Sequence, residues 1–126
     1  RSIQTESGLY ITGLGSHIAG EDDASILETL DSTQRHLIVA HNPDSTRQSY
    51  GEVDLSDSVT VSGHTHGGQI RIPGLYRLVI PTRGSFPHRG PYDLAGKGTL
   101  VITQGLGEMG LPLRLFCRPE ILVLNL

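Results

Sequence analysis

The chain has no tryptophan, only one cysteine, and just two phenylalanines and four tyrosines. A lone cysteine, Cys117, excludes an internal disulfide framework. Lying between Phe116 and Arg118 in an apolar stretch, it reads as a buried, inert thiol. No apolar run approaches the roughly 18 residues that a membrane span needs. No signal peptide is visible at Arg1, so a membrane enters the expectations only through an anchor outside this sequence. There is no excess of basic charge. The net charge of −3 leaves no electrostatic footprint for nucleic acid, and no nucleic-acid partner is expected. Internal repeats, low-complexity tracts and linkers are also missing.

What is there suits one folded unit. The 126 residues are 37% apolar and 18% charged, too apolar and too weakly charged for disorder, and long enough to bury a sizeable core. Sixteen glycines and seven prolines predict many turns and short elements. The layout is mixed and strand-rich. Ser2–Thr5 and Leu9–Thr12 flank Glu6-Ser7-Gly8, a hairpin pattern. Glu21, Asp22 and Asp23 precede residues 24–30, where Ile26, Leu27 and Leu30 make one apolar face of a helix. Leu37–Ala40 reads as a buried strand, 43–50 as a short helix, and Val59–Ser62 as the next strand. Residues 73–91 carry four prolines and three glycines and read as loop. Tyr92–Ala95 and Thr99–Ile102 flank Gly96-Lys97-Gly98, a strong hairpin signal. Two closing strands are predicted, Leu113–Cys117 and Glu120–Leu124.

The most informative segment is Val61-Ser62-Gly63-His64-Thr65-His66-Gly67-Gly68-Gln69-Ile70. Neutral imidazole is the commonest protein metal ligand. If the segment is extended, His64 and His66 project to one side, and the glycines permit the torsions that turn both rings to one site. A second histidine motif has the same form. Leu37-Ile38-Val39-Ala40 runs into His41-Asn42-Pro43-Asp44, where Pro43 ends the strand and Asn and Asp favour a turn. His41 thus lies at a strand's carboxyl end, where open α/β sheets collect ligands. The plainer readings are a pair of exposed loop histidines for an isolated His64-Thr65-His66 and, for His41, a histidine that caps the turn by hydrogen bonding. Together the motifs favour metal ligation.

These motifs resemble the calcineurin-like metallophosphoesterases. The closing segment agrees: Gly105-Leu106-Gly107, Gly110-Leu111-Pro112-Leu113-Arg114 and Cys117-Arg118-Pro119-Glu120-Ile121 are similar to the end of a bacterial, membrane-associated subgroup. The resemblance runs from about Leu9 to Leu126. The family's other ligand motifs, Asp-x-His, Gly-Asp and Gly-Asn-His, do not occur here. The resemblance therefore implies that residues 1–126 form the carboxyl-terminal part of the phosphoesterase domain, with the bridging aspartate and the proton-donating histidine in an amino-terminal half that this sequence lacks. The implied fold is α+β, a strand-rich portion of a four-layer α-β-β-α sandwich. The implied chemistry is phosphoester hydrolysis at two divalent metal ions of Mn, Zn, Fe or Ni type. His41 and His64 would bind one ion and His66 the other. Asn42, Asp44 and Thr65 would orient the rings, while Gly63 and Gly67 would let a phosphate come close. The implied partners are the substrate and the amino-terminal half. The implied setting is bacterial cytoplasm or envelope. A chain lacking its second sheet would bare an apolar face and is expected to self-associate or to cover that face by local rearrangement.

Two other readings stand beside this one. Three histidines suffice for a single zinc with an open position, giving a non-enzymatic metal-binding domain. A half-sandwich could equally be an interaction module. Gly105-Leu106-Gly107-Glu108-Met109-Gly110 matches Gly-x-Gly-x-x-Gly, but Pro112 argues against the helix that a dinucleotide site needs; the resemblance instead sets this loop beside the active site. His17, His36 and His88 read as solvated loop histidines. Arg71, Arg83 and Arg89 suit phosphate in principle and read mainly as surface residues.

Overall fold

Four short β-branched or apolar strands line up in parallel, and two antiparallel strands close the edges. The computed structural model describes residues 1–16, 19–20, 25–45, 50, 53–73 and 88–126. Strand β1 (Ser2–Gln4) pairs antiparallel with β2 (Tyr10–Gly13). The chain then passes through helix α1 (Ser25–Glu28) to β3 (His36–Ala40), which lies parallel to β2. β4 (Ser58–Ser62) is parallel to β3, and β6 (Thr99–Ile102) is parallel to β4. β5 (Gly90–Asp93) hairpins back onto β6. The six-stranded sheet runs β1-β2-β3-β4-β6-β5. The β5–β6 turn needs its last glycine: Gly98 has φ 75°, and a Cβ there would sit 2.2 Å from the Ser58 carbonyl oxygen.

The sheet's two faces differ. On one, His36, Ile38 and Ala40 alternate along β3, and Ser58, Thr60 and Ser62 along β4, all buried. Leu27 of α1, Tyr50 and Leu55 pack with Ile38, flanked by Leu14, Ile26, Leu30, Val53 and Leu94. Each such large side chain contributes about 1.5–3 kcal/mol on burial. Tyr50 shares a 2.7 Å hydrogen bond with Thr60, and burial pushes its hydroxyl pKa up. On the other face, the register aligns Ile3, Ile11, Leu37 and Val59 in one row and Val39, Val61 and Val101 in the next. This face is more apolar than the first and only partly covered. Val39, in mid-sheet, is 45% exposed.

The predicted hairpins and the strands ending at Ala40 and Ser62 are present, and the architecture is the expected strand-rich α+β portion of a metallophosphatase sandwich. The two closing strands are a correction. Leu113–Cys117 contributes one isolated parallel bridge, Leu115 with Ile70. Residues 120–124 form no strand, and Ile121 and Val123 are 78% and 80% exposed. A strand needs a neighbour for its backbone groups, and among the described residues 120–124 have no such ladder. His36 is a second correction. It opens β3, is buried, bonds Asp31 O through Nε2 at 2.9 Å and lies against Tyr10. The acidic lead-in at 21–23, residues 46–49 of the short helix expected at 43–50, and residues 74–87 of the long loop lie outside the described residues.

Candidate metal centre

Because β3 and β4 are parallel and adjacent, their carboxyl ends emerge side by side, with Ala40 opposite Ser62. The pairing extends one step further, as Gly63 N donates to His41 O at 3.2 Å. Beyond it the side chains meet. His41 Nε2 and His64 Nδ1 are 3.0 Å apart, with ring centroids at 4.8 Å and planes at 67°. The turn after His41 is anchored from inside. Asn42, Pro43 and Asp44 are buried, and Asn42 Oδ1 accepts from Asp44 N at 2.8 Å, so His41 is left on the surface. Asn42 and Asp44 thus fix the backbone that carries His41.

The Gly-His-Thr-His segment is not extended, contrary to the simplest reading of its spacing. Thr65 N turns back to Gly63 O at 2.7 Å, and a 3₁₀ turn runs over His66–Gly68. His64 (φ 65°), His66 (φ 48°) and Gln69 (φ 40°) all take left-handed torsions, which non-glycine residues seldom adopt. Such strain persists only where surroundings over-determine it, and it gathers at functional sites. The surroundings here are specific. Thr65 is buried; its hydroxyl donates to His88 O at 2.8 Å and accepts from Gly67 N at 3.2 Å. Gly67 backs onto Gln104 and Cys117, and a Cβ there would lie 2.6 Å from Gln104 Oε1. At Gly63 a Cβ would meet nothing within 4 Å.

His66 is held differently from the pair. Its Nδ1 is 3.0 Å from Gly107 O. A carbonyl oxygen only accepts, so Nδ1 is the donor, which in the neutral tautomer leaves the lone pair on Nε2. That is how a ligating histidine is fixed by a backbone partner. The Gly105-Leu106-Gly107 loop therefore borders the histidines, and no helix starts in it.

Six side chains that sequence reasoning left without a role build this loop system. Arg114 donates to Gln104 O at 2.8 Å, to Gly107 O through Nε at 3.1 Å, and reaches His66 O at 3.5 Å. Cys117 Sγ is buried against His66 O and Gln104 Oε1, 3.2 Å from each. Gln104 Nε2 donates to Glu120 Oε2 at 2.8 Å, and Thr103 Oγ1 to Glu120 Oε1 at 3.1 Å. These bonds, the one from Gln104 foremost, hold the Glu120 carboxyl below its ordinary pKa. Gln69 spends its amide on Met109 and Leu111: Nε2 donates to both carbonyls, at 3.1 and 2.8 Å, and Oε1 accepts from Met109 N at 2.8 Å. The signal was the closing motif itself, since Arg114 and Glu120 lie in it.

The 3.0 Å contact is a hydrogen bond between the two rings. It is shorter than the roughly 3.3–3.4 Å between nitrogens of two ligands on one tetrahedral zinc, and it sets the rings close enough to turn toward one ion. It does not complete a site: among the described residues, no group of three or more His, Cys, Asp and Glu is placed to hold a metal. The structure thus brings His41 and His64 together and does not add His66 to them as a third ligand. Of the remaining candidates, His88 offers its carbonyl to Thr65 and Arg71 reaches Gln104 at 3.5 Å. Arg89 is exposed, while His17 and Arg83 lie outside the described residues.

Comparison with known proteins gives one consistent answer. The sequence is 31% identical over 126 residues to the uncharacterized metallophosphoesterase YkuE of Bacillus subtilis, covering 99% of this chain and 43% of that protein. It is 37% identical over 117 residues to the uncharacterized metallophosphoesterase Cj0846 of Campylobacter jejuni, covering 92% and 29%. It is 37% identical over 91 residues to the phosphodiesterase YaeI of Escherichia coli, covering 71% and 32%. The chain spans less than half the length of these relatives. No family model and no solved structure matches it.

Proposed function

Given that the chain belongs to the metallophosphoesterase family, with relatives that extend well beyond it, we propose that it supplies the histidine side of a two-metal centre that hydrolyses a phosphoester. The observation that carries this reading is the His41–His64 contact at the carboxyl ends of neighbouring parallel strands. His41 and His64 would hold one ion, and His66 would present Nε2 to the other. When bound, such ions polarise the phosphoryl group and lower the pKa of a water that attacks it. This chain's own residues do the positioning. The ladder bond from Gly63 to His41 fixes the spacing of the first pair. The Gly107 carbonyl fixes the tautomer of His66. Arg114, Gln104 and Cys117 hold the strained turn beneath it.

Carboxylate ligands would come from an amino-terminal half, the partner whose sheet would also cover the open face of Leu37, Val39, Val59 and Val61. Metal identity is open among Mn, Zn, Fe and Ni, since mixed nitrogen and oxygen shells accept each. The test is hydrolysis of bis-p-nitrophenyl phosphate with added Mn²⁺. The chain alone is expected to turn it over negligibly. Joined to an amino-terminal half it is expected to be active, and His64→Ala is expected to abolish that activity. Robust turnover by the chain alone, lost in His66→Ala, would show that no second half is required.

A further inference from the structure

Beside His66 the surface folds into an open pocket of about 260 Å³, lined by Thr65, His66, Gln69, Ile70, Met109 and Leu111 among others. We propose that this pocket takes an apolar alkyl or aryl group of the phosphoester, which makes the enzyme's substrate a phosphate ester of a hydrophobic alcohol. The inference rests on the hydrolytic reading above and adds the substrate class. Three observations carry it. First, the pocket is continuous with the reaction centre, because His66 is both its wall and the proposed ligand. An ester bound there by its phosphate has its substituent within reach of the pocket.

Second, apart from His66 Nε2, the polar side-chain groups of the wall are already used. The Gln69 amide is spent on Met109 and Leu111. The Thr65 hydroxyl is spent on His88 O and Gly67 N, and His66 Nδ1 on Gly107 O. A sugar or base would find few partners for its own polar groups, and burying those unpaired is costly. Third, Met109 and Leu111 at the pocket are 59% and 62% exposed, although an apolar side chain gains by burial. The Gln69 bonds hold this apolar rim open. The volume lies below the range usual for drug-sized ligands, so it suits a short alkyl segment or one ring.

The chain's sole methionine is Met109, so a labelled methionine methyl gives one NMR signal located at the pocket. The protein, with Zn²⁺ present, is titrated with methyl phosphate, butyl phosphate and phenyl phosphate. Each methylene buried in an apolar site strengthens binding about fourfold. The Met109 signal is expected to shift saturably with butyl and phenyl phosphate, at concentrations at least tenfold lower than with methyl phosphate. Leu111→Asp, a change at an exposed position, is expected to return butyl phosphate to the methyl phosphate level. A Met109 signal that ignores the longer esters, or a butyl preference that survives Leu111→Asp, overturns the proposal. Histidine ring signals are followed with Zn²⁺ in the same samples. If they do not respond, the metal reading fails, while the Met109 titration still decides the pocket.

Discussion

The two faces of the sheet differ in composition and in cover: the mixed face of His36, Ile38, Ser58 and Thr60 is buried, and the more apolar face of Leu37, Val39, Val59 and Val61 is only partly so. On one, Ile38 is fully buried under Leu27, Tyr50 and Leu55. On the other, its neighbour Val39 is 45% exposed in mid-sheet. Strands buried on both faces read as continuous apolar runs, and Leu37-Ile38-Val39-Ala40 is such a run. The difference teaches that strand β3 is patterned for two layers, of which the described residues provide one. The chain spans 43% and 29% of two relatives, and a second layer from outside it is part of the reading proposed above.

The comparison breaks most readily on stability. Ile38→Ala is expected to cost about 2–5 kcal/mol, since it empties a closed core. Val39→Ala in this chain is expected to cost less than about 1 kcal/mol. Urea unfolding of both variants checks this, and equal losses would show the open face is closed in solution. Next in size is association. An open apolar face promotes self-pairing. Light scattering is expected to show mass rising with concentration, together with binding of a hydrophobic dye. Val39→Lys is expected to reduce both, and a dye-free monomer at every concentration would show that the chain covers this face itself.

How much of this was legible in the sequence follows from the range of the forces involved. Local signals located the strands: β3 and β4 end within a residue of where Pro43 and Gly63 put them. His41 and His64 were singled out because both sit just past strand ends. The closing strands were misread because an alternating pattern reports exposure on two sides and says nothing about the neighbour a ladder needs. His36 was misread because no local feature of the sequence reveals a carbonyl five residues back, at Asp31. The closing motif marks Arg114 and Glu120, but what they and Gln69 and Gln104 hold is not legible in it, because their partners lie up to 48 residues away.

The same contrast between supported and unsupported parts extends to the site, with smaller expected effects. Gly67→Ala forces a Cβ toward Gln104 and Cys117 at a positive φ. It is expected to destabilise the turn by about 1–3 kcal/mol, read as faster hydrogen exchange around His66. Acid is the mildest perturbation. The Glu120 pKa is lowered in the folded chain, chiefly by Gln104. Its contribution is therefore fully present above the ordinary carboxylate range and is lost as pH falls through the lowered value. A small loss of stability in that acid window is expected, and Glu120→Gln is expected to remove this pH dependence. An unchanged acid profile in that variant would show that Glu120 does not clamp the closing segment.

We propose that His41 and His64 form a ligand pair that His66 does not complete. Equilibrium dialysis of the chain against Zn²⁺, for wild type and for His41→Ala, His64→Ala and His66→Ala, tests it directly. The expected result is one weakly held ion per chain, lost in His41→Ala and in His64→Ala and retained in His66→Ala. An ion lost equally in all three variants would mean a single three-histidine site, and an ion indifferent to His41 and His64 would remove the metal centre altogether.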